Sequence, residues 1–427
     1  MRHLLPSLTY VDGALHADLA VSLDGARIAA VGPARTLRQG PDDTLEPLPG
    51  RALLPGFVNA HSHAFQRGLR GHVQYADGGD SFWTWRERMY TLATSLDPES
   101  VERVSALAFA EMLSAGFTCV GEFHYLQHQP DGAPYADPDE LARRVLAAAS
   151  GVGIRIVLLR VAYARAGFEV DPNPRQRRFL DRDPDACLAA LARLRADGHA
   201  VGLAPHSVRA CPAEWLRAFA SFDGPIHAHV DEQPGEIAQS LAEHGRRPIH
   251  VFEDAGLLGP RFTAVHLTHP DDAEIATLRA AGGGVCACPT TELDLGDGFL
   301  PIERLEGVPL SLGTDSHASI DPFAELRLVD WTARARLGRR AVLAHDPHPD
   351  ALAARLIDAG TRGGARALGV DAGEIAPGRL ADLITIDLDH VALRDARPLP
   401  AIVFAGHPGL VREVWVDGVR RDARAPR

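Results

Sequence analysis

The sequence has 427 residues, of which 46% are hydrophobic and 23% charged, a composition typical of folded globular proteins and not of disordered chains. Its 44 basic residues stand against 56 acidic ones, and the net charge of -12 argues against nucleic acid or an anionic membrane as the main partner. No apolar run reaches the roughly 18 residues of a membrane span, and the first residues do not resemble a signal peptide, so we expect a cytoplasmic protein.

Both ends of the sequence are rich in short strands and turns. VSLDGARIAAVG near the amino end and LVREVWVDGVRR near the carboxyl end alternate apolar and polar residues, as half-buried strands do. Because isolated hairpins are only marginally stable, we expect the two ends to assemble into one small β-sandwich domain, made of residues 1–54 and 372–427. Residues 55–371 then form a separate domain.

The middle of the chain alternates strand-like and helical segments. Eight apolar runs end in polar residues, namely LLPGFVNAHSH, FTCVGEFH, IRIVLLRVAY, AVGLAPHS, PIHAHVDE, FTAVHLTH, GGVCACPTTE and PLSLGTDSH. Between them lie amphipathic stretches such as DELARRVLAAASGVG and PDACLAALARLRADG, each with a glycine near its end. Eight strand–helix units predict an α/β fold of the (β/α)8 TIM-barrel class. An open doubly wound sheet is the alternative, weakened because no GxGxxG turn follows an early strand.

The first strand-like run ends in two histidines. In a barrel, catalytic groups lie at the carboxyl ends of the strands, which is where His61 and His63 are expected. Being two residues apart, they share one face of the strand at a separation of roughly 6.6 Å. Both rings could therefore bind one metal ion, although a pair of structural histidines would give the same pattern.

Later runs supply further candidate ligands. HAHVDE, at the end of the fifth run, offers His229 as a third imidazole, with Glu232 three residues beyond it. GTDSH, at the end of the eighth run, offers the carboxylate of Asp315. Imidazoles with one carboxylate suit Zn²⁺, with iron, nickel or manganese as alternatives, and a position left open for water is typical of a catalytic site. We therefore predict one divalent metal ion, with Zn²⁺ as the first choice.

Two features of the composition limit the chemistry. The sequence contains no lysine, so all 44 basic residues are arginines, which excludes a lysine Schiff base, a P-loop lysine and a carboxylated lysine bridging two metal ions. The five cysteines have no CxxC or zinc-finger spacing, which indicates reduced, buried thiols.

Four segments together resemble the metal-dependent amidohydrolase superfamily, namely LLPGFVNAHSHAFQRGLRGH, HAHVDE, VHLTH and LGTDSH. The barrel and split β appendage of that superfamily match the organisation inferred above. Members with two metal ions carry a bridging carboxylated lysine, so the missing lysine indicates the single-metal subtype that resembles adenosine deaminase. The resemblance implies metal ligands at His61, His63, His229 and Asp315, and catalytic roles for Glu232, His266 and Asp315.

Further segments narrow the resemblance to the formimidoylglutamate deiminase family, namely AHSHAFQRGLRG, DSFWTWRERMY, GEFHYLQHQPDGAPYADP, GLAPHSVRA, CPTTELDLGDG and GTDSHASIDPFAELR. This resemblance implies an enzyme of histidine degradation that hydrolyses a linear amidine, N-formimidoyl-L-glutamate, to N-formyl-L-glutamate and ammonia. The sequence departs from the family pattern at Asp231, beside Glu232, where a small residue is expected.

The expected substrate has two carboxylates, and arginine binds a carboxylate through two parallel hydrogen bonds. Arg209, three residues after His206 in APHSVR, is the best candidate for this contact. For Arg86, a solvent-facing position on a helix is an equally good interpretation. The resemblance implies substrate-binding roles for Gln66, Arg86, Tyr125, His206 and Arg209.

Two other functions stay open at this stage. Another single-metal deaminase, acting on guanine, cytosine or an adenosine derivative, would share the metal ligands but would have little need of an arginine that pairs with a carboxylate. A catalytically silent barrel that serves as a binding scaffold would be free to lose its ligands, yet all of them are present. As partners we expect a small acidic substrate and a second copy of the chain in a homodimer, with no nucleic acid and no membrane.

Overall fold

The computed structural model describes residues 1–36, 40–74, 82–340, 342–344 and 346–422. The chain begins with five strands, β1 Arg2–Val11, β2 Ala14–Ala17, β3 Leu19–Asp24, β4 Arg27–Pro33 and β5 Thr44–Pro55. Gly25, with a φ of 55°, makes the tight left-handed turn between β3 and β4 that residues with a side chain rarely adopt. Adjacent antiparallel strands follow from such short turns.

Eight parallel strands come next, and each falls within one of the predicted apolar runs. They are β6 Phe57–Ser62, β7 Phe117–His124, β8 Arg155–Ala162, β9 Val201–Pro205, β10 Ile226–Val230, β11 Phe262–His266, β12 Gly284–Ala287 and β13 Leu310–Leu312. The strands pair in sequence order from β6 to β13. Their side chains are almost all buried, as expected for a parallel sheet that helices cover. The predicted (β/α)8 barrel is therefore confirmed.

Helices follow the barrel strands, and several of them begin with a recognisable capping residue. Asp97, Asp183 and Asp271 each accept a hydrogen bond from a backbone N–H in the first turn of the helix that they precede. In chain order the helices are α1 Phe82–Ser95, α2 Pro98–Ser114, α3 Glu140–Val152, α4 Pro184–Ala196, α5 Ala213–Ala218, α6 Pro234–His244, α7 Pro248–Asp254, α8 Asp272–Ala281, α9 Pro289–Leu295, α10 Pro322–Leu337, α11 Ala351–Asp358, α12 Gly364–Leu368 and α13 Pro398–Phe404. No helix within the described ranges is both long and apolar enough to cross a membrane.

The last strands return to the amino-terminal unit. They are β14 Leu383–Asp387, β15 Val411–Val416 and β16 Val419–Arg421, and β14 pairs with β5 in an antiparallel arrangement. The result is one eight-stranded mixed sheet built from both ends of the chain. This sheet has an apolar cluster of its own, which includes Leu4, Ile28 and Trp415, separate from the main barrel core.

The barrel closes between its first and last strands, at the edge where the histidines lie. Ser62 and Asp315 form a parallel β-bridge, Asp315 N donates to His61 O at 3.1 Å, and His63 N donates to Asp315 O at 3.0 Å. Gly313 precedes this closure, and a Cβ atom there would lie 2.7 Å from His61 O. The close approach of the two backbones therefore requires glycine, and it brings Asp315 beside the two histidines.

Candidate metal centre and active site

Three histidines and one aspartate from three strand ends meet at the closed rim of the barrel. Oδ1 of Asp315 lies 3.3 Å from Nε2 of His61 and 3.3 Å from Nε2 of His63. Nε2 of His229, at the end of β10, lies 3.2 Å from Nε2 of His61. All four residues are buried. The four predicted ligands are thus brought together at the rim, with His61 and His63 both facing Asp315 and His229 facing His61.

The outer ring nitrogens of two histidines show which atoms are free for a metal ion. Nδ1 of His63 donates to Phe123 O at 2.9 Å, and Nδ1 of His229 donates to His206 O at 3.0 Å, because a carbonyl oxygen can only accept. In the neutral rings the proton is therefore on Nδ1, and Nε2 carries a lone pair. Lone pairs that face one another and a carboxylate oxygen repel unless a cation lies between them, so this donor set fits a divalent metal ion.

The protonation states of the four residues agree with this role. Burial lowers the pKa of His61 to about 3 and lowers the pKa values of His63 and His229 as well, so the rings are neutral. Burial alone would raise the pKa of Asp315, but the hydrogen bond with His61 and the nearby imidazoles hold it below its usual range. Neutral imidazoles and an ionised carboxylate are the forms that bind metal ions.

His266, at the end of β11, lies beside this cluster and among carboxylates. Its Nε2 is 3.8 Å from Glu232 Oε1 and 3.8 Å from Asp315 Oδ2, and its Nδ1 is 3.4 Å from Glu292 Oε1. Among the described residues, the donor atoms of His61, His229, His266 and Asp315 lie close enough together to share one metal ion, and this group contains His266 where the sequence predicted His63. Burial alone would lower the pKa of His266, but the three carboxylates outweigh it and raise that pKa well above its usual value. A ring that these carboxylates keep protonated would donate hydrogen bonds, which favours the catalytic role expected for His266.

Glu232 reaches the same point from the loop after β10. Asp231 before it has a φ of 51°, a left-handed conformation that aspartate tolerates better than most residues. Its backbone oxygen accepts hydrogen bonds from Thr268 Oγ1 and His269 N, which fix the turn. This turn gives a physical reason for an aspartate where a small residue was expected. Burial raises the pKa of Glu232, so its carboxyl group can hold a proton closer to neutral pH than an exposed glutamate.

A pocket opens onto the cluster, and every predicted substrate-binding residue lines it. Arg86, on α1, is half-buried and faces the pocket, which removes the solvent-facing alternative. Gln66 Nε2 donates to the hydroxyl of Tyr125 at 2.8 Å, and both side chains are buried. His206 packs its ring 4.8 Å from that of His229, and Arg209 lies near Glu236. The lining therefore combines the metal-binding rim with cationic and hydrogen-bonding groups.

Other pocket residues were not found from the sequence. Tyr90 and Tyr163 line the pocket, and Gln176 Nε2 bonds both of their hydroxyl groups, at 3.1 and 2.9 Å. A signal existed for Tyr90, since it stands four residues after Arg86 and so shares its helix face. Tyr163 lies just past the end of β8. Functional residues of a barrel are expected at the carboxyl ends of its strands, so this position was a signal for Tyr163.

Three further histidines near strand ends take no part in the cluster. Nε2 of His269 bonds Asp297 O at 2.7 Å, and Nε2 of His317 lies 3.0 Å from Ser62 Oγ. His124, at the end of β7, is buried but does not line the pocket. Cys288 is a buried thiol, although it lies close to His266 and Glu292. These residues are therefore not added to the predicted ligand set.

Known proteins are similar to this chain both in sequence and in fold. The model of the amidohydrolase family matches residues 52–421. A formimidoylglutamate deiminase from Pseudomonas aeruginosa is 41% identical over 391 residues, which cover 88% of this chain and 86% of the relative. An amidohydrolase from Brucella melitensis superposes with a TM-score of 0.88 at 32% identity, covering 100% of this chain and 96% of the other.

A second solved structure bears on the metal. An adenosine deaminase from Xanthomonas campestris with bound zinc has a TM-score of 0.82 at 28% identity, covering 98% of this chain and 92% of the other. These relatives are hydrolytic enzymes, which removes the catalytically silent scaffold as an interpretation. The chain belongs to the amidohydrolase family of metal-dependent hydrolases.

Proposed function

We propose that this enzyme hydrolyses N-formimidoyl-L-glutamate to N-formyl-L-glutamate and ammonia, as a step of histidine degradation. The observation that carries the proposal is that one pocket is lined by the metal-binding rim, by Glu232 and by two arginines, Arg86 and Arg209. A linear amidine with two carboxylates needs chemistry at one end and cationic recognition at the other. The 41% identical formimidoylglutamate deiminase supports the same substrate.

His61, His63, His229 and Asp315 would hold the single metal ion, and Zn²⁺ is the ion that this ligand set favours. When bound, such an ion lowers the pKa of a coordinated water molecule towards neutrality and so provides the nucleophile for the formimino carbon. The protein places its other reactive groups around this point. Asp315 turns its second oxygen, Oδ2, towards His266 Nε2 at 3.8 Å, where it would orient the attacking water.

Glu232 is the residue proposed to move the proton. Its buried carboxyl group would take a proton from the attacking water and deliver it to the departing nitrogen, so that ammonia leaves and the C–N bond breaks. His266, 3.8 Å from both Glu232 and Asp315, would donate a hydrogen bond to the tetrahedral centre. Such preorganised donors contribute about 3 kcal/mol to transition-state stabilisation in other enzymes.

Two arginines of the pocket lining are proposed to recognise the glutamate part of the substrate. Arg209 is nine-tenths buried and carries its positive charge into a water-poor site, where a bidentate bond with a carboxylate is strong. Arg86 provides a second cation for the other carboxylate. Gln66, Tyr125 and His206 add hydrogen-bonding groups to the lining of the same pocket.

Ammonia release from N-formimidoyl-L-glutamate, guanine, cytosine and adenosine tests the proposal. The enzyme is assayed as purified, after chelation and after restoration with Zn²⁺. We expect ammonia from N-formimidoyl-L-glutamate alone, lost on chelation and regained with Zn²⁺. A preference for one of the other three substrates would replace the proposal with a nucleobase or nucleoside deaminase, and full activity of chelated protein would contradict the metal centre.

A further inference from the structure

A carboxyl group outside the pocket holds the segment that contains the two rim histidines. Oε2 of Glu122, on β7, lies 2.5 Å from Ser62 Oγ, and its Oε1 accepts a hydrogen bond from Ala64 N at 2.7 Å. Ser62 and Ala64 flank His63 on either side. Glu122 is buried and does not line the pocket. Glu122 thus bonds the side chain of the residue before a proposed metal ligand and the backbone N–H of the residue after it.

The sheet alone does not fix this segment. The pairing of β6 with β7 is irregular, with a register shift between Asn59 and Ser62, and β6 ends at Ser62. His63 lies beyond the last strand residue and is held by the backbone bond to Asp315 O described above. The bonds to Glu122 replace the ladder contacts that a regular strand would have made.

The series of hydrogen bonds that begins with Glu122 and Ser62 continues to the segment of Asp315, the fourth proposed ligand. Ser62 Oγ lies 3.0 Å from His317 Nε2, and His317 Nδ1 lies 2.9 Å from Thr314 Oγ1. Asn59 then joins Thr314 back to β6, through bonds of 2.7 Å to Oγ1 and 3.0 Å from the backbone N–H. Ser62, His317, Thr314 and Asn59 are all completely buried. Asp315 therefore lies between Thr314 and His317, which these hydrogen bonds connect to Glu122. The same carboxyl group bonds the two neighbours of His63.

We propose that Glu122 is a positioning residue for the metal centre, which through Ser62 and Ala64 holds His63, and through His317 and Thr314 holds Asp315, in ligating geometry. The inference rests on the proposed metal ligands. Outer hydrogen-bond partners of metal ligands typically contribute about 10- to 100-fold to metal affinity.

The arrangement does not require one charge state of Glu122. Burial raises the pKa of Glu122 to about 8, so both forms are accessible near neutral pH. In either form one oxygen accepts from Ala64 N. The other oxygen bonds Ser62 Oγ, as acceptor when the group is ionised and as donor when it is protonated.

The test compares two buried glutamates with equivalent bonds. Glu122→Met keeps the length of the side chain and removes both hydrogen bonds. Glu325→Met is the matched control, because Glu325 is also buried and bonds one backbone N–H and one hydroxyl, those of Thr290 at 3.1 and 2.5 Å. Neither Glu325 nor Thr290 belongs to the proposed site. Zn²⁺ affinity is measured by competition with a chromogenic chelator, and the melting temperature of each metal-free protein is recorded beside it.

We expect E122M to bind Zn²⁺ about 10- to 100-fold more weakly than the wild type, and E325M to bind it as the wild type does even if its melting temperature falls equally. Wild-type affinity in E122M, or equal weakening in E325M, would overturn the inference. If E122M does not fold, Ser62→Ala takes its place with the same expected and contrary results, since it removes a single oxygen atom. Failure of the wild type to bind Zn²⁺ tightly would contradict the metal centre itself, whereas equal binding by the wild type and E122M would contradict only the role of Glu122.

Discussion

Glu236 places Oε1 3.7 Å from Nε of Arg209, deep in the wall of the pocket. Its other oxygen accepts a hydrogen bond from Glu232 N at 3.3 Å. One buried carboxyl group therefore contacts both the arginine proposed for substrate binding and the backbone of the residue proposed for proton transfer. Glu236 approaches the Nε atom of the guanidinium, and the two Nη groups are the donors that we propose for a carboxylate of the substrate.

Arg209→Met should raise KM for N-formimidoyl-L-glutamate by about 10- to 100-fold, because hydrogen bonds to a charged group contribute about 1.5–3 kcal/mol. Steady-state kinetics measure the change. Arg67→Met serves as the control, since Arg67 follows Gln66 but pairs with Glu111 and does not line the pocket. An unchanged KM in R209M would remove Arg209 from substrate binding.

Glu232→Gln should reduce kcat by about 100-fold or more while the protein keeps its metal, because an amide cannot transfer the proton and Glu232 is not a proposed ligand. Ammonia release and metal content are measured on the same preparation. Turnover close to that of the wild type would rule out proton transfer by Glu232. Loss of metal with activity would instead indicate that Glu232 is a ligand.

Removal of the metal should destabilise the fold as well as stop turnover. A ligand present at 100 times its dissociation constant adds about 2.7 kcal/mol to the free energy of unfolding, so chelation should lower the melting temperature of a chain of this length by about 3 °C. Differential scanning fluorimetry before and after chelation measures this, and added Zn²⁺ should restore the original value. A melting temperature that changes neither on chelation nor on addition of Zn²⁺ would show that metal binding does not add to the free energy of unfolding.

The barrel and its rim could be predicted because both leave local signals in the sequence. Each strand is an apolar run that ends in a polar residue, and parallel strands bring those ends to one rim, so His61, His229 and Asp315 could be placed together. His317 shows the limit of this reasoning, because it stands two residues after Asp315 yet turns towards Ser62. The positive φ values of Asp315 and His317, 46° and 61°, break the alternation that a regular strand would have imposed.

The supporting carboxylates could not be predicted because their partners are distant in sequence. Glu122 bonds Ser62 from 60 residues away, and Glu236 follows Arg209 only after an intervening strand. Nothing in the composition around either glutamate separates it from the solvated glutamates of other helices and strands. Their burial follows from tertiary packing, which a pattern of apolar residues specifies only in outline.

Arg155 joins the barrel to the terminal sheet and offers a test of that junction. It donates to both oxygens of Asp382, at 2.7 and 3.0 Å, and to Asp417 at 2.5 Å, and Asp382 is almost completely buried. Arg155→Met leaves a buried carboxylate without its partner and should cost about 3 kcal/mol of stability, measured by urea unfolding. Activity at 25 °C should not change, since none of these residues lines the pocket.

The control is Arg182→Met, because Arg182 pairs with Asp183 but is mostly exposed, and exposed pairs contribute about 1 kcal/mol at most. Equal losses in R155M and R182M would show that the junction does not depend on the buried pair.

Asp297 should make stability depend on pH in a defined direction. Its carboxyl group is buried, Gln233 bonds one oxygen, and the other has no hydrogen-bond partner among the described residues. Burial and the nearby charge of Glu232 raise the pKa of Asp297 well above its usual range. The folded state therefore keeps a proton that the unfolded chain releases above about pH 4, and stability falls as pH rises from there to the folded pKa.

Asp297→Asn mimics the protonated form at every pH and removes this dependence. We expect the melting temperature of the wild type, relative to that of D297N, to decline steadily as pH is raised from about 5 to about 8. Melting curves of both proteins in matched buffers measure the difference, which cancels the titration of the groups that do not interact with Asp297. A difference that stays constant over this range would mean that Asp297 is ionised in the folded protein, and that Gln233 and its surroundings stabilise the charge despite its burial.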